Sequence, residues 1–202
     1  MNANKRYKNI VFSGAQGVGK TTLIDSLYKI SELAPYRNYV WTYFPSASSM
    51  IGKTCPINEL GTDDSQRQIS YLQFQQLSQC KNISNKSTTF FIFDRGLLDS
   101  FTYSVWLKNN GKISKETFNY CKDLFENNIK KYDIIFFLEP EFEIIERKLR
   151  STNKEFQAEI NDIFKENIAK WKLNNVVKLS GSVSERMKQI EYNFRIKLQQ
   201  NF

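Results

Sequence analysis

The sequence predicts an α/β domain in which five parallel strands form one sheet with helices on both faces. Three observations lead there. Short runs of β-forming residues alternate with longer stretches of helical periodicity along the chain. Two of those runs, around Phe90–Phe93 and Ile134–Leu138, are continuously apolar, the pattern of a strand buried on both faces of a parallel sheet. The first run passes directly into a glycine-rich turn and then into a helix, the setting that a phosphate-binding loop requires.

Taken in order, Asn9-Ile10-Val11-Phe12-Ser13 reads as the first strand. Gly14-Ala15-Gln16-Gly17-Val18-Gly19-Lys20-Thr21 then fits the pattern G-x-x-x-x-G-K-[ST], followed by Thr22 and a helix to Ile30 with Leu23, Leu27 and Ile30 at helical spacing. Glycines allow the tight bend that aims successive backbone N–H groups at a phosphate chain, and the helix adds its positive dipole end. Residues Gly14 to Thr22 are the expected nucleotide-binding segment, with Lys20 reaching the β- and γ-phosphates and the Thr21 hydroxyl ligating Mg²⁺.

Tyr39 to Pro45 is rich in β-formers and predicts the second strand. Residues Ser46 to Gly61 lack periodicity and read as a connecting loop on the acceptor side. Thr62 caps the next helix, with Asp63 and Asp64 in its first turn and Ile69, Leu72, Leu77 and Cys80 on its apolar face through about Lys81. Turns are expected at Asn82–Lys86 and at Asn109-Asn110-Gly111. Thr88 to Asp94 is the third strand. A carboxylate closing such a strand opens into the crevice where ligands sit, so Asp94 is the expected second Mg²⁺ holder; a helix N-cap is its alternative role. Helices follow over Ser100–Leu107, Ser114–Lys131, Glu141–Leu149 and Asn153–Lys172, strands over Asp133–Leu138 and Asn175–Leu179. The last helix opens on the capping box Ser182-Val183-Ser184-Glu185 and buries Val183, Met187, Ile190 and Phe194.

Composition bounds the function. The 202 residues suit one domain, 1–202, with a lid within 141–172, and 41% hydrophobic residues argue for a packed core rather than disorder. No apolar run approaches bilayer length, and Met1–Lys8 is too polar for a signal peptide. Cys55, Cys80 and Cys121 are odd in number and outside metal-ligand spacing, which fits reduced thiols in the cytoplasm. With no histidine, a His-based triad or zinc site is excluded. The net charge of +8 is scattered, as on a solvated surface; a phosphate-rich cleft or a nucleic-acid surface are the functional alternatives. None of the Asn-Lys pairs (Asn4-Lys5, Asn85-Lys86, Asn153-Lys154) is followed two residues on by aspartate, which argues against a guanine-reading GTPase.

The phosphate loop together with Asp94-Arg95-Gly96-Leu97-Leu98-Asp99-Ser100 resembles the thymidylate-kinase-like P-loop kinases, in the branch of small AAA-type ATPase domains that includes ribosylnicotinamide-kinase-like proteins. Ile57–Asp63, Arg150–Phe156 and Leu179–Ser182 extend the resemblance over most of the chain. It implies that Arg95 contacts the acceptor or the transferring phosphate, and that Arg147 and Arg150 act from a lid on ATP. Guanidinium groups suit that work because phosphoryl transfer needs positioning and neutralisation of developing charge. Solvation of a helix end is the alternative for the two lid arginines. One departure stands out. Kinases of this type commonly carry a carboxylate at the end of the second strand, and here that strand ends Tyr43-Phe44-Pro45-Ser46.

The expected function is ATP- and Mg²⁺-dependent phosphoryl transfer to a nucleoside, nucleotide or related small metabolite, with Lys20, Asp94, Arg95, Arg147 and Arg150 catalytic and Thr21 and Asp94 on the metal. Asp99 and Tyr103, one helical turn apart, are expected to face the acceptor, with helix capping the alternative for Asp99. The rival readings are a 5′-hydroxyl kinase acting on nucleic acid and a nucleotide-dependent binding module that signals to a protein.

Overall fold

The computed structural model describes residues 7–32, 36–80, 89–141 and 153–199. Five strands, β1 (Tyr7–Ser13), β2 (Val40–Phe44), β3 (Thr89–Asp94), β4 (Ile134–Leu138) and β5 (Val176–Leu179), pair in the order β2-β3-β1-β4-β5. All four pairings are parallel. The helices are α1 (Lys20–Ser31), α2 (Ala47–Ile51), α3 (Asp63–Gln79), α4 (Leu97–Asn109), α5 (Lys115–Asn128), α6 (Lys154–Lys170) and α7 (Val183–Gln199).

Continuous apolar strands end up with both faces covered because alternate side chains meet different helices. On one face Phe194 of α7 packs against Phe90 and Phe136 and against Trp41. On the other, Phe164 of α6 packs against Phe137, the next residue along β4. Phe101 of α4 stacks on Phe125 of α5 at 4.5 Å, and Trp171 closes on both edge-on. Each fully buried phenylalanine contributes about 1.5–3 kcal/mol through the surface it removes from water.

The helix ends follow from local chemistry. The Thr62 hydroxyl accepts the Ser65 N–H and the Ser65 hydroxyl accepts the Thr62 N–H, a reciprocal cap for α3. Ser114 caps α5 and Asn153 caps α6 in the same way, each accepting an N–H three residues on. Ser182 and Glu185 form the expected box at α7. α4 begins three residues before its expected start, because the Asp99 carboxylate reaches back to the Gly96 N–H.

Two expectations are corrected. Residues 46–61 are not a structureless loop: they hold α2 and a 3₁₀ turn at Asn58–Leu60. Ala47 and Ile51, one turn apart, pack with Ile69 of α3 in a small satellite core that Cys55, Ile57 and Leu72 complete. A five-residue helix carries too few apolar positions to show a period, so tertiary contact holds it. Val183 is exposed rather than buried, while Met187, Ile190 and Phe194 are buried as expected. Within the span expected to hold a lid, 154–170 is a helix whose Phe156, Ile160 and Phe164 belong to the main core. The turn expected at 82–86, and Arg147 and Arg150 with the helix expected around them, lie outside the described residues.

Candidate nucleotide-binding site

The strand order reverses between β1 and β3. The chain leaves β1 toward β2 on one side, and leaves β3 toward β4 on the other. In open parallel sheets that reversal leaves a crevice beyond the strands' carboxyl ends. Phe12 of β1 stands in register with Asp94 of β3, so the phosphate loop and the Asp94-Arg95 segment emerge side by side. The Arg95 N–H donates to the Phe12 carbonyl at 3.0 Å and locks the two exits together.

Within the loop, Gly14, Gly17 and Gly19 have φ of 144°, 82° and 93°, a region that other residues rarely adopt. At Gly14 the fit is also steric: a Cβ there would stand 2.4 Å from the Leu138 carbonyl oxygen of β4. Lys20 is 5% exposed, and its Nζ donates to the Gly14 and Ala15 carbonyls at 2.8 and 2.6 Å. The Thr21 hydroxyl donates to Asp94 Oδ2 at 3.3 Å, so an oxygen group from the first turn of α1 faces one from the end of β3 across the mouth of the site. Thr22 stands exposed in the first turn of α1.

Arg95 has φ of 73°, an uncommon backbone conformation for a long side chain and one that collects at functional sites. Its Nη1 donates to the Gly14 carbonyl and to Asp99 Oδ1, each at 3.0 Å, and its guanidinium lies 5.5 Å from the Tyr103 ring centre. Asp99 is buried beneath the loop. Its Oδ1 accepts the Gly14 N–H at 3.3 Å and its Oδ2 the Gly96 N–H at 3.1 Å. Burial pushes the Asp99 carboxyl above its ordinary range, against the lowering pull of Arg95 and Lys20. Burial likewise raises the Tyr103 phenol, whose hydroxyl donates to Gln16 Oε1 at 2.9 Å. Asp99 therefore caps α4 and carries the loop, and both it and Tyr103 border a pocket next to the phosphate site.

Two supports were missed in the sequence. Arg186 of α7 is 2% exposed; its Nη1 donates to the Val18 carbonyl at 2.9 Å and its Nη2 lies 3.1 Å from Glu141. The signal was its position one turn before Ile190, which continues the buried stripe of α7. Gln157 of α6 donates to the Gln16 carbonyl at 2.5 Å, so α4, α6 and α7 all hold the loop from below. The buried face of α3 also proves polar, with Gln66, Ser70, Gln73 and Gln76 beside Ile69 and Leu77.

These groups open on a cleft of about 180 Å³ lined by Gln16 to Thr21, Asp94 and Arg95, with Ser46, Ser48, Ser49 and Asn58 completing the lining. Loop N–H groups, Lys20 and Arg95 make it suited to an anion chain, and the Thr21–Asp94 pair offers hard oxygen ligands to a divalent cation. Among the described residues no three His, Cys, Asp or Glu gather as a metal cluster. Among the same residues no helix is long and apolar enough to cross a membrane. Cys55, Cys80 and Cys121 are all free thiols.

The arrangement is similar to several solved structures. Thymidylate kinase from Candida albicans superposes with a TM-score of 0.66 at 19% identity, over 97% of this chain and 93% of that one. Deoxyadenosine kinase from M. mycoides, solved with dCMP and dCDP, gives 0.63 at 17%, over 93% and 98%. NadR protein, solved with NAD and AMP-PNP, gives 0.61 at 19%, over 88% of this chain and 46% of that one. The chain thus spans about half the length of NadR protein. A sequence search among curated proteins finds no match. Residues 9–186, from the first strand to Arg186 beneath the loop, match the family described as the AAA domain. With the parallel sheet and the phosphate loop in place, the chain belongs to the AAA domain family, and its fold is that of these P-loop kinases.

Proposed function

We propose that this protein transfers the γ-phosphoryl group of ATP, with Mg²⁺, to a small acceptor of the nucleoside, nucleotide or related metabolite class. The observation that carries the reading is the 3.3 Å contact of Thr21 Oγ1 with Asp94 Oδ2 at the mouth of the loop that encloses Lys20. Backbone N–H groups of Gly17 to Thr21 would hold the donor phosphates, with Lys20 on the β- and γ-phosphates. Thr21 and Asp94 would hold Mg²⁺, whose part is to neutralise charge on the phosphate oxygens. Arg95 lies at the junction of the phosphate cleft and the neighbouring pocket, which suits it to the transferring group. Arg147 and Arg150 remain proposed contributors from the segment before α6. The neighbouring folds' ligands, AMP-PNP and deoxynucleotides, support the same class.

The acceptor side favours a phosphorylated acceptor over a free hydroxyl. Among the described residues lining the cleft and the pocket beside it, the carboxylates are Asp94 and Asp99. The first faces the Thr21 hydroxyl, and the second receives two backbone N–H groups and Arg95. Ser46 and Ser48, bonded to each other at 2.8 Å, line the cleft where a base would be needed. An acceptor phosphate is already ionised and needs no base.

The test is ADP release with Mg·ATP against nucleosides, nucleoside monophosphates, nicotinamide riboside and a 5′-hydroxyl oligonucleotide, with Lys20→Ala as control. Lys20-dependent turnover with a phosphorylated small-molecule product is expected, highest with a monophosphate. Turnover indifferent to every small acceptor overturns the reading. Turnover with the oligonucleotide alone, falling steeply with salt, assigns the activity to nucleic acid instead.

A further inference from the structure

Of the three tryptophans, two engage their indole N–H: Trp41 Nε1 donates to the Tyr36 carbonyl at 3.1 Å and Trp106 Nε1 to Glu159 Oε2 at 2.5 Å. Trp171, at the end of α6, is different. Its Nε1 is closed off from solvent and has no hydrogen-bond partner among the described residues, although its ring packs edge-on against Phe125. A buried donor without an acceptor is costly and calls for an explanation.

Trp171 lines a cavity of about 570 Å³, within the range of about 300–1,000 Å³ for small-molecule sites and larger than the phosphate cleft at about 180 Å³. Tyr132 and Asn175, just ahead of β4 and β5, belong to its wall. The cavity therefore lies at the amino ends of the strands, the edge opposite the phosphate loop. Its chemistry is one-sided. Ile129, Tyr132 and Leu173 supply apolar surface, Lys130 and Lys172 supply charge, and none of the described lining residues is a carboxylate. Neither lysine has a hydrogen bond or ion pair among the described residues, whereas nearby Lys131 donates to Asn128 and Lys122 pairs with Glu126 at 2.6 Å. Lys172 is also held at a φ of 48°, where its N–H and that of Leu173 close α6 on the Ala169 and Ile168 carbonyls. Glycine is the usual residue at such a position, so a lysine there carries a backbone cost. The same closure occupies carbonyls that would otherwise favour a cation.

We propose that this cavity binds a small oxyanion, a phosphate ester or a carboxylate on a compact apolar body, at a site apart from phosphoryl transfer. The Lys130 and Lys172 ammonium groups would take the charge, an oxygen would accept the Trp171 N–H, and the body would lie on Ile129, Tyr132 and Leu173. The proposal goes beyond the kinase reading and does not depend on it, since none of these residues borders the phosphate cleft.

The test follows the indole N–H itself. Labelling tryptophan with heavy nitrogen in the full chain gives three indole signals in a proton–nitrogen correlation spectrum, and Trp171→Phe assigns the relevant one. The protein is titrated with phenyl phosphate and with benzoate, each to about 10 mM, a ceiling for weak specific binding, and with benzyl alcohol as the uncharged control. The expected result is a saturable downfield shift of the Trp171 signal with phenyl phosphate, benzoate or both, and none with benzyl alcohol; the ligand that acts identifies the oxyanion. The double variant Lys130→Ala, Lys172→Gly should weaken binding about tenfold or more. Because glycine relieves the left-handed backbone, Lys172→Gly should unfold at a urea concentration no lower than the native chain, which separates lost binding from lost folding. Lys20→Ala should leave the shift in place. No saturable shift with either anion, an equal response to benzyl alcohol, or binding that survives the double lysine variant overturns the proposal. A shift that vanishes in Lys20→Ala also overturns it, assigning the anion to the phosphate cleft.

Discussion

Arg186 Nη1 donates to the Val18 carbonyl at 2.9 Å, joining the last helix to the middle of the phosphate loop. The same guanidinium stands 3.1 Å from Glu141, just beyond β4. A planar, permanently charged group can serve both partners from a buried position, which a lysine's single ammonium does less well. The loop's shape is thus set partly by a residue far beyond it in the chain.

Replacing Arg186 by leucine leaves the Val18 carbonyl without its donor and Glu141 without its cation. The expected loss is about 2–4 kcal/mol, since Glu141 keeps some contact with water. Urea unfolding of Arg186→Leu measures it, and Arg186→Lys should recover less than half. Mg·ADP affinity should fall in both variants. A stability unchanged within about 0.5 kcal/mol would show that the clamp carries no weight.

Thr21 and Asp94 act on one ion in the proposed chemistry, so their effects should not add. Thr21→Ala and Asp94→Asn are each expected to lower kcat by about 10²–10³, with the Mg²⁺ requirement shifted to higher concentration. The double variant should fall no more than about tenfold below the worse single one, as for residues that work as a unit. Steady-state rates across a Mg²⁺ titration check this. Full additivity would separate their roles.

Asp63 joins the start of α3 to the cap of α5, its Oδ1 accepting the Ser114 N–H at 2.9 Å and the Ser114 hydroxyl at 2.8 Å. The Thr117 hydroxyl first, and then these Ser114 donors, hold its carboxyl below the ordinary value of 3.8. The charged form is the stabilised one. Its contribution is therefore complete above pH 3.8 and is lost as the pH falls through the depressed value. Thermal unfolding between pH 5 and pH 2 should show a shallower acid loss for Asp63→Asn than for the native chain. Equal slopes would remove Asp63 from the acid response.

Local patterning in the sequence determined the elements of this protein. Continuous apolar runs gave β3 and β4 because a doubly covered strand has no solvent face to alternate with. The glycine spacing at Gly14, Gly17 and Gly19 gave the loop, and Thr62, Ser114, Asn153 and Ser182 gave helix starts, because each acts on backbone within a few residues of itself. What only the tertiary structure decided depends on groups distant in the chain. Arg186 and Gln157 read as ordinary polar positions until burial removes their water. Asp99 becomes a support for Gly14 only when β1 and β3 lie side by side. Ala47 and Ile51 become a helix only against Ile69. A polar side chain's role is set by which partners replace its water, and those partners are supplied by the packing of the whole chain.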